Sequence, residues 1–88
     1  MHNDGDVTIA VVNTDYIELD KLLKRENLAA SGGEARYLIS QGLVQVNGVV
    51  ETRKRKKLYA GDVATYNGVA IRVAVQLSSA DDGLAEES

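Results

Sequence analysis

Ser31-Gly32-Gly33-Glu34-Ala35-Arg36-Tyr37-Leu38-Ile39-Ser40-Gln41-Gly42-Leu43-Val44-Gln45-Val46-Asn47-Gly48 sets a helix start, a helix stop, a short strand and a tight turn in direct succession. Ser31 and Glu34 stand at capping-box spacing. The Ser31 hydroxyl can accept from the Glu34 amide while the Glu34 carboxylate reaches back to the Ser31 amide. Ala35, Leu38 and Ile39 form an apolar stripe at helical spacing, which predicts a helix to about Gln41 with Gly42 as its stop. Gly33, Arg36, Tyr37 and Ser40 then face outward. Val44-Gln45-Val46 alternates apolar and polar residues and meets Asn47-Gly48, a strong hairpin-turn signal. A helix that runs directly into a hairpin points to an α+β domain.

The same reading extends in both directions. Val7 to Val12 is rich in β-branched residues and predicts a strand. Asn13-Thr14-Asp15 supplies turn or capping side chains. Leu19, Leu22, Leu23 and Glu26 share one face of a helix predicted over about 18–26. The opposite face carries Asp20, Lys21, Lys24 and Arg25, with Asp20 and Lys24 spaced to pair. Asn27 is the expected stop, and Leu28 is expected to pack back onto the core. Downstream, Val49 to Thr52 returns from the Asn47-Gly48 turn. Leu58 to Asp62 ends in another turn, and Val63 to Tyr66, Asn67-Gly68 and Val69 to Val75 form a second hairpin. The expected architecture is two short helices packed on a small, mostly antiparallel sheet of hairpins. Residues 1–6 are expected to be flexible, 7–75 to form the domain, and 76–88 to form an acidic disordered tail.

The chain of 88 residues is long enough for one modest core. It contains no cysteine, so disulfides, thiolate catalysis and cysteine-bound zinc are excluded. The single histidine, His2, adjoins the initiating methionine, where a catalytic or metal-binding role is not expected. No nucleotide-binding glycine signature or paired-carboxylate site is recognisable. A non-catalytic protein without metal, cofactor or small-molecule substrate is therefore expected. The longest apolar run, Val7 to Val12 with Thr8 inside it, is too short to cross a membrane and follows no basic segment, so a cytoplasmic protein is expected.

Charge is segregated along the chain. The formal net charge is −3, yet every lysine and arginine lies between Asp15 and Gln76. Half of those ten cations are the five consecutive residues Arg53-Lys54-Arg55-Lys56-Lys57. A dense cationic segment suits a polyphosphate backbone. It also suits a solvated strand edge guarded against aggregation, or a dock for an acidic protein. If the run were a regular strand, Arg53, Arg55 and Lys57 would face one way and Lys54 and Lys56 the other. Arginine's bidentate geometry favours Arg53 and Arg55 as phosphate ligands. The Gly32-Gly33 helix start reads equally as loop freedom before a cap or as unobstructed amides for a phosphate. Tyr37 either stacks on an unpaired base or packs on the helix surface. Tyr16, Tyr59 and Tyr66 read as core or strand residues.

As a linked set, Leu19-Asp20-Lys21-Leu22-Leu23, Ser31 to Leu38, Gly42 to Gly48 and Tyr59-Ala60-Gly61-Asp62-Val63 resemble the RNA-binding domain named after small-subunit ribosomal protein four, the alpha-L motif. Thr14-Asp15-Tyr16-Ile17, Gly32-Gly33 and Val50 to Arg55 followed by Lys57-Leu58 resemble its stand-alone YaaA/YbcJ-like branch. The resemblance covers roughly residues 7–75. It implies the alpha-L fold and binding of structured RNA, chiefly ribosomal RNA or a ribosome-assembly intermediate, without catalysis. The contact residues that the resemblance implies are Lys21 on the first helix, Arg36 on the second, and Arg53, Lys54, Arg55, Lys56 and Lys57 beyond the hairpin; the reading of the residues adds Lys24 and Arg25 on the first helix and Gly32, Gly33 and Tyr37 on the second as candidate RNA contacts. Two positions depart from the wider family, which often carries arginine where this chain has Glu18 and Gly32. The alternative class is a protein-interaction adaptor linked to DNA replication or repair.

Overall fold

A computed structural model describes residues 7–76. Strand β1 (Val7–Val12) leads through a turn to the two-residue strand β2 (Ile17–Glu18), then to helices α1 (Leu19–Arg25) and α2 (Gly32–Ser40). Strands β3 (Val44–Val46), β4 (Val49–Val50), β5 (Lys57–Leu58), β6 (Val63–Tyr66) and β7 (Val69–Val75) follow. Five strands form one sheet in the order β1-β7-β6-β3-β4, and β2 pairs with β5 in a separate small ladder. The two hairpins and the β3–β6 pairing are antiparallel, while β1 runs parallel to β7 from Val7 opposite Ala70 to Val12 opposite Val75. Parallel neighbours need a long crossover, and here almost the whole domain serves as one. The expected fold class holds; the parallel edge strand and the β2–β5 ladder are additions to it. The readings of residues 1–6 and 77–88 concern segments outside the described residues. Gln76, assigned to the tail, is the last described residue, and its amide continues the sheet by donating to the Val12 carbonyl at 2.8 Å.

Both helices end as their sequences require. Asn27 has φ +64°, its amide donates to Lys24, and the Leu28 amide donates to the Leu23 carbonyl. Gly42 has φ +76°, with Gly42 bonded to Ile39 and Leu43 to Leu38. Each is a Schellman closure that satisfies carbonyls left over at the helix end. At the start of α2 the Ser31 hydroxyl accepts from the Glu34 amide at 3.1 Å, as expected. The returning Glu34 carboxylate reaches the Ala30 amide instead of that of Ser31.

One face of the sheet carries Ala10, Val12, Val44, Val46, Ala64, Ile71 and Val73 into the core, where they meet Leu19, Leu22, Leu23, Ala35, Leu38 and Ile39 of the helices. Leu58 of β5 is fully buried with them. The opposite sheet face, with Ile9, Gln45 and Arg72, is exposed. Tyr59 is a correction. Expected in the core or a strand, it lies beyond β5 and is 51% exposed. Tyr16 and Tyr66 are half-buried.

Asn47 and Asn67 both adopt positive φ at the head of an Asn-Gly turn. Asn47 does more than turn the chain. Its side-chain oxygen accepts from the Val63 amide at 3.0 Å, and its side-chain nitrogen donates to Asp62 at 3.1 Å. Asn47→Ala is therefore expected to cost about 2 kcal/mol, combining two lost hydrogen bonds with left-handed strain. Asn67→Ala loses only the turn preference and should cost about 1 kcal/mol. Thermal melts of both variants check this, and equal melting temperatures would remove the structural role assigned to the Asn47 side chain.

Candidate nucleic-acid interface

The first turn of a helix leaves backbone amides without partners. In α1 the preceding Glu18 makes no side-chain cap. The basic run fills that role. The Lys56 carbonyl accepts from the Leu19 amide at 2.9 Å, and the Lys54 carbonyl accepts from the Asp20 amide at 3.1 Å. The adjoining ladder sets Ile17 opposite Leu58 and Glu18 opposite Lys57. Residues 53–56 are thus a turn, closed by Lys56 donating to the Arg53 carbonyl, and not a continuing strand. The alternation of faces considered for Arg53 to Lys57 does not apply. The backbone of this turn is bonded to the start of α1, which sets Arg55 beside the helix.

Asp20 is the second correction. Placed by sequence on the polar face and paired with Lys24, it is only 4% exposed. Its carboxylate accepts from the Lys21 amide at 2.8 Å and from Arg36 Nη1 on α2 at 3.4 Å. To reach Asp20, the Arg36 guanidinium folds back over Gly32. A Cβ on Gly32 would lie 3.2 Å from Arg36 Nη1. The glycine at this position accommodates the Arg36–Asp20 link that joins the two helices.

These contacts shape a cleft of about 320 Å³ lined by Glu18, Asp20, Lys21, Lys24, Gly32, Arg36 and Arg55. Three separate segments contribute its cations: α1 gives Lys21 and Lys24, α2 gives Arg36, and the basic turn gives Arg55. Glu18 takes part as a tempering charge, 3.5 Å from Lys21. The other candidates lie outside this cleft's lining. Arg25 donates to the Val11 carbonyl and borders a separate hollow with Gln76. Tyr37 projects from α2 and is 61% exposed. Gly33 is exposed beside the Ser31 hydroxyl. Lys54 is exposed and Lys56 half-buried. The Lys57 ammonium lies 4.8 Å from the centre of the Tyr16 ring.

Arg53 is held by its neighbour. Its Nε donates to Glu51 Oε2 at 2.8 Å and its Nη2 to Oε1 at 3.1 Å. These side-chain bonds hold the Glu51 carboxyl down to about 2, against the opposing effect of burial. The Arg53 amide, the Arg53 charge and Lys56 assist. Because the folded pKa lies below the ordinary value of 4.5, the pair's contribution is complete above that value and fades as pH falls toward 2. A carboxyl-detected NMR titration should place the Glu51 midpoint near 2, and Arg53→Ala should return it toward 4.5. A native midpoint above 4 would mean that the pair does not persist in solution. The sequence reading missed Glu51 as a partner, although a carboxylate two residues before a favoured arginine was a visible signal.

Among the described residues, no group of three or more His, Cys, Asp or Glu is arranged to hold a metal ion, and no helix is long and apolar enough to cross a membrane.

Two short helices, a mostly antiparallel mixed sheet and this inter-helix cleft define an alpha-L domain. Residues 10–74 match the S4 domain family, and the chain belongs to it. Among curated proteins it is 39% identical over 66 residues to YbcJ of Escherichia coli (strain K12), an overlap of 75% of this chain and 94% of YbcJ. It is 37% identical over 57 residues to RlbA of Bacillus subtilis (strain 168), named a probable ribosome maturation protein, covering 65% of this chain and 80% of RlbA. The solution structure of E. coli YbcJ, whose alpha-L motif is described as involved in RNA binding, superposes with a TM-score of 0.58 at 34% identity. That match covers 84% of this chain and 92% of YbcJ.

Proposed function

We propose that this protein binds structured RNA in the cytoplasm without catalysing a reaction, and that its target is ribosomal RNA or a ribosome-assembly intermediate. The observation that carries the reading is the convergence of Lys21, Lys24, Arg36 and Arg55 from three segments on one cleft, in a chain of net charge −3. Such a cleft positions phosphates, and the cations release counterions when they do so. Arg36 is held in place by Asp20, so part of the site is ordered before RNA arrives. The Gly32 and Gly33 amides at the α2 start add donors for a phosphate, and Tyr37, Lys54 and Lys57 are further candidate contacts outside the cleft's lining. Arg53 bonds Glu51 through Nε and Nη2, which leaves Nη1 to meet a phosphate. The likeness to YbcJ supports RNA as the ligand, and the likeness to RlbA supports the ribosomal setting.

The test is a salt titration of binding to purified ribosomal RNA with duplex DNA as competitor. Four engaged cations predict that log affinity falls with log salt at a slope of about −3. DNA should compete poorly. A flat salt response, or no binding, would overturn the reading and bring the protein-adaptor alternative forward.

A further inference from the structure

Another hollow, of about 850 Å³, adjoins the cationic cleft and shares Glu18 and Lys21 with it. Asn13, Thr14, Asp15, Tyr16, Ile17 and Tyr59 complete its lining. Its volume falls within the roughly 300–1,000 Å³ of small-ligand clefts. Tyr16 and Tyr59 meet edge to face, with ring centres 5.8 Å apart and planes at 74°. Lys57 occupies space over the Tyr16 ring. The Thr14 hydroxyl donates to the Tyr16 carbonyl at 2.7 Å and fixes the turn that carries that ring. Tyr59, braced by Tyr16, stays half in solvent, although an aromatic ring of that size gains by burial.

We propose that this hollow receives one unpaired nucleobase, stacked on Tyr59, from the RNA whose phosphates occupy the neighbouring cleft; the inference rests on the RNA-binding reading. Asp15 places a carboxylate in this hollow that can accept hydrogen bonds from a base edge, while Glu18, shared with the cleft, is paired with Lys21 at 3.5 Å. The aromatic surface offers a stacking face, which a base inside an A-form duplex cannot use. Lys21 stands at the boundary, where the sugar–phosphate backbone passes from one hollow to the other. The preferred ligand is therefore a helix interrupted by a bulge or loop, and not a continuous duplex.

The test compares two RNA hairpins of equal length, one perfectly paired and one with a single bulged nucleotide, each titrated with the full chain at fixed salt. The bulged hairpin should bind about tenfold more tightly, within the range of base–aromatic stacking. Tyr59→Ala should abolish that preference while leaving affinity for the paired hairpin unchanged, and Tyr59→Phe should retain it. A 5-iodouridine at the bulge should photocrosslink to Tyr59 or Tyr16. Equal binding of both hairpins, an equal effect of Tyr59→Ala on both, or a crosslink elsewhere would overturn the base site and leave the RNA-binding reading standing. Binding of neither hairpin would overturn both.

Discussion

Replacing Lys21, Lys24 and Arg55 together by alanine is expected to weaken binding to structured RNA about 100-fold at low salt. An exposed charge contact contributes about 1 kcal/mol, and three such losses approach two decades in affinity. The salt slope should flatten by about 2 to 3, since each lost phosphate contact removes roughly 0.7 to 0.9. All three side chains are exposed, so the melting temperature should change little. Arg36 is left in place deliberately: its removal would strand the buried Asp20 carboxylate and confuse binding with folding. Fluorescence anisotropy at several salt concentrations gives both quantities. A variant that binds with native affinity and slope would put the interface on another surface.

Leu23→Ala is expected to destabilise the domain by about 3 kcal/mol, within the usual range for deleting a fully buried leucine. That is a large part of the roughly 5–15 kcal/mol that holds a small domain folded. The melting temperature should fall by about 15 °C. Leu23 lies at the end of α1, and its carbonyl receives the Leu28 and Ala29 amides at 2.9 and 3.2 Å. A cavity there loosens both the helix and its closure, so amide exchange should accelerate first in α1. Urea unfolding followed by circular dichroism should show a lower midpoint at unchanged slope. A loss below 1 kcal/mol would mean that α1 does not seat on the sheet as described.

The elements that were legible in sequence share a property: their signals are local. The Ser31 hydroxyl and Glu34 amide, the positive-φ stops at Asn27 and Gly42, and the Asn-Gly turns depend on residues a few positions apart. Each sits where its side-chain chemistry placed it. The apolar stripes of both helices likewise followed from periodicity. The candidate cations Lys21, Lys24, Arg36 and Arg55, and Gly32 beside them, were named from motif and charge, but nothing local required them to share a cleft. Asp20 reads on a helical wheel as a solvent-facing partner for Lys24, because the wheel does not include α2. Tyr59 reads as a core residue, because its aromatic character says nothing of the turn that carries it to the surface.

Local pattern determined the class of fold, the two helices with their stops and the Ser31 cap, and the two hairpins, and the resemblance of the linked motifs pointed to the family. Tertiary structure decided which charges meet. The basic run became a turn because its carbonyls could satisfy the open amides of α1, a partnership between residues more than thirty positions apart. Arg36 turned inward because Asp20 was already buried beneath it, and Arg53 was neutralised by Glu51 while Arg55 was left at the cleft. Hydrogen-bond satisfaction and charge pairing act through space, so these outcomes depend on the folded neighbourhood and not on the order of residues alone.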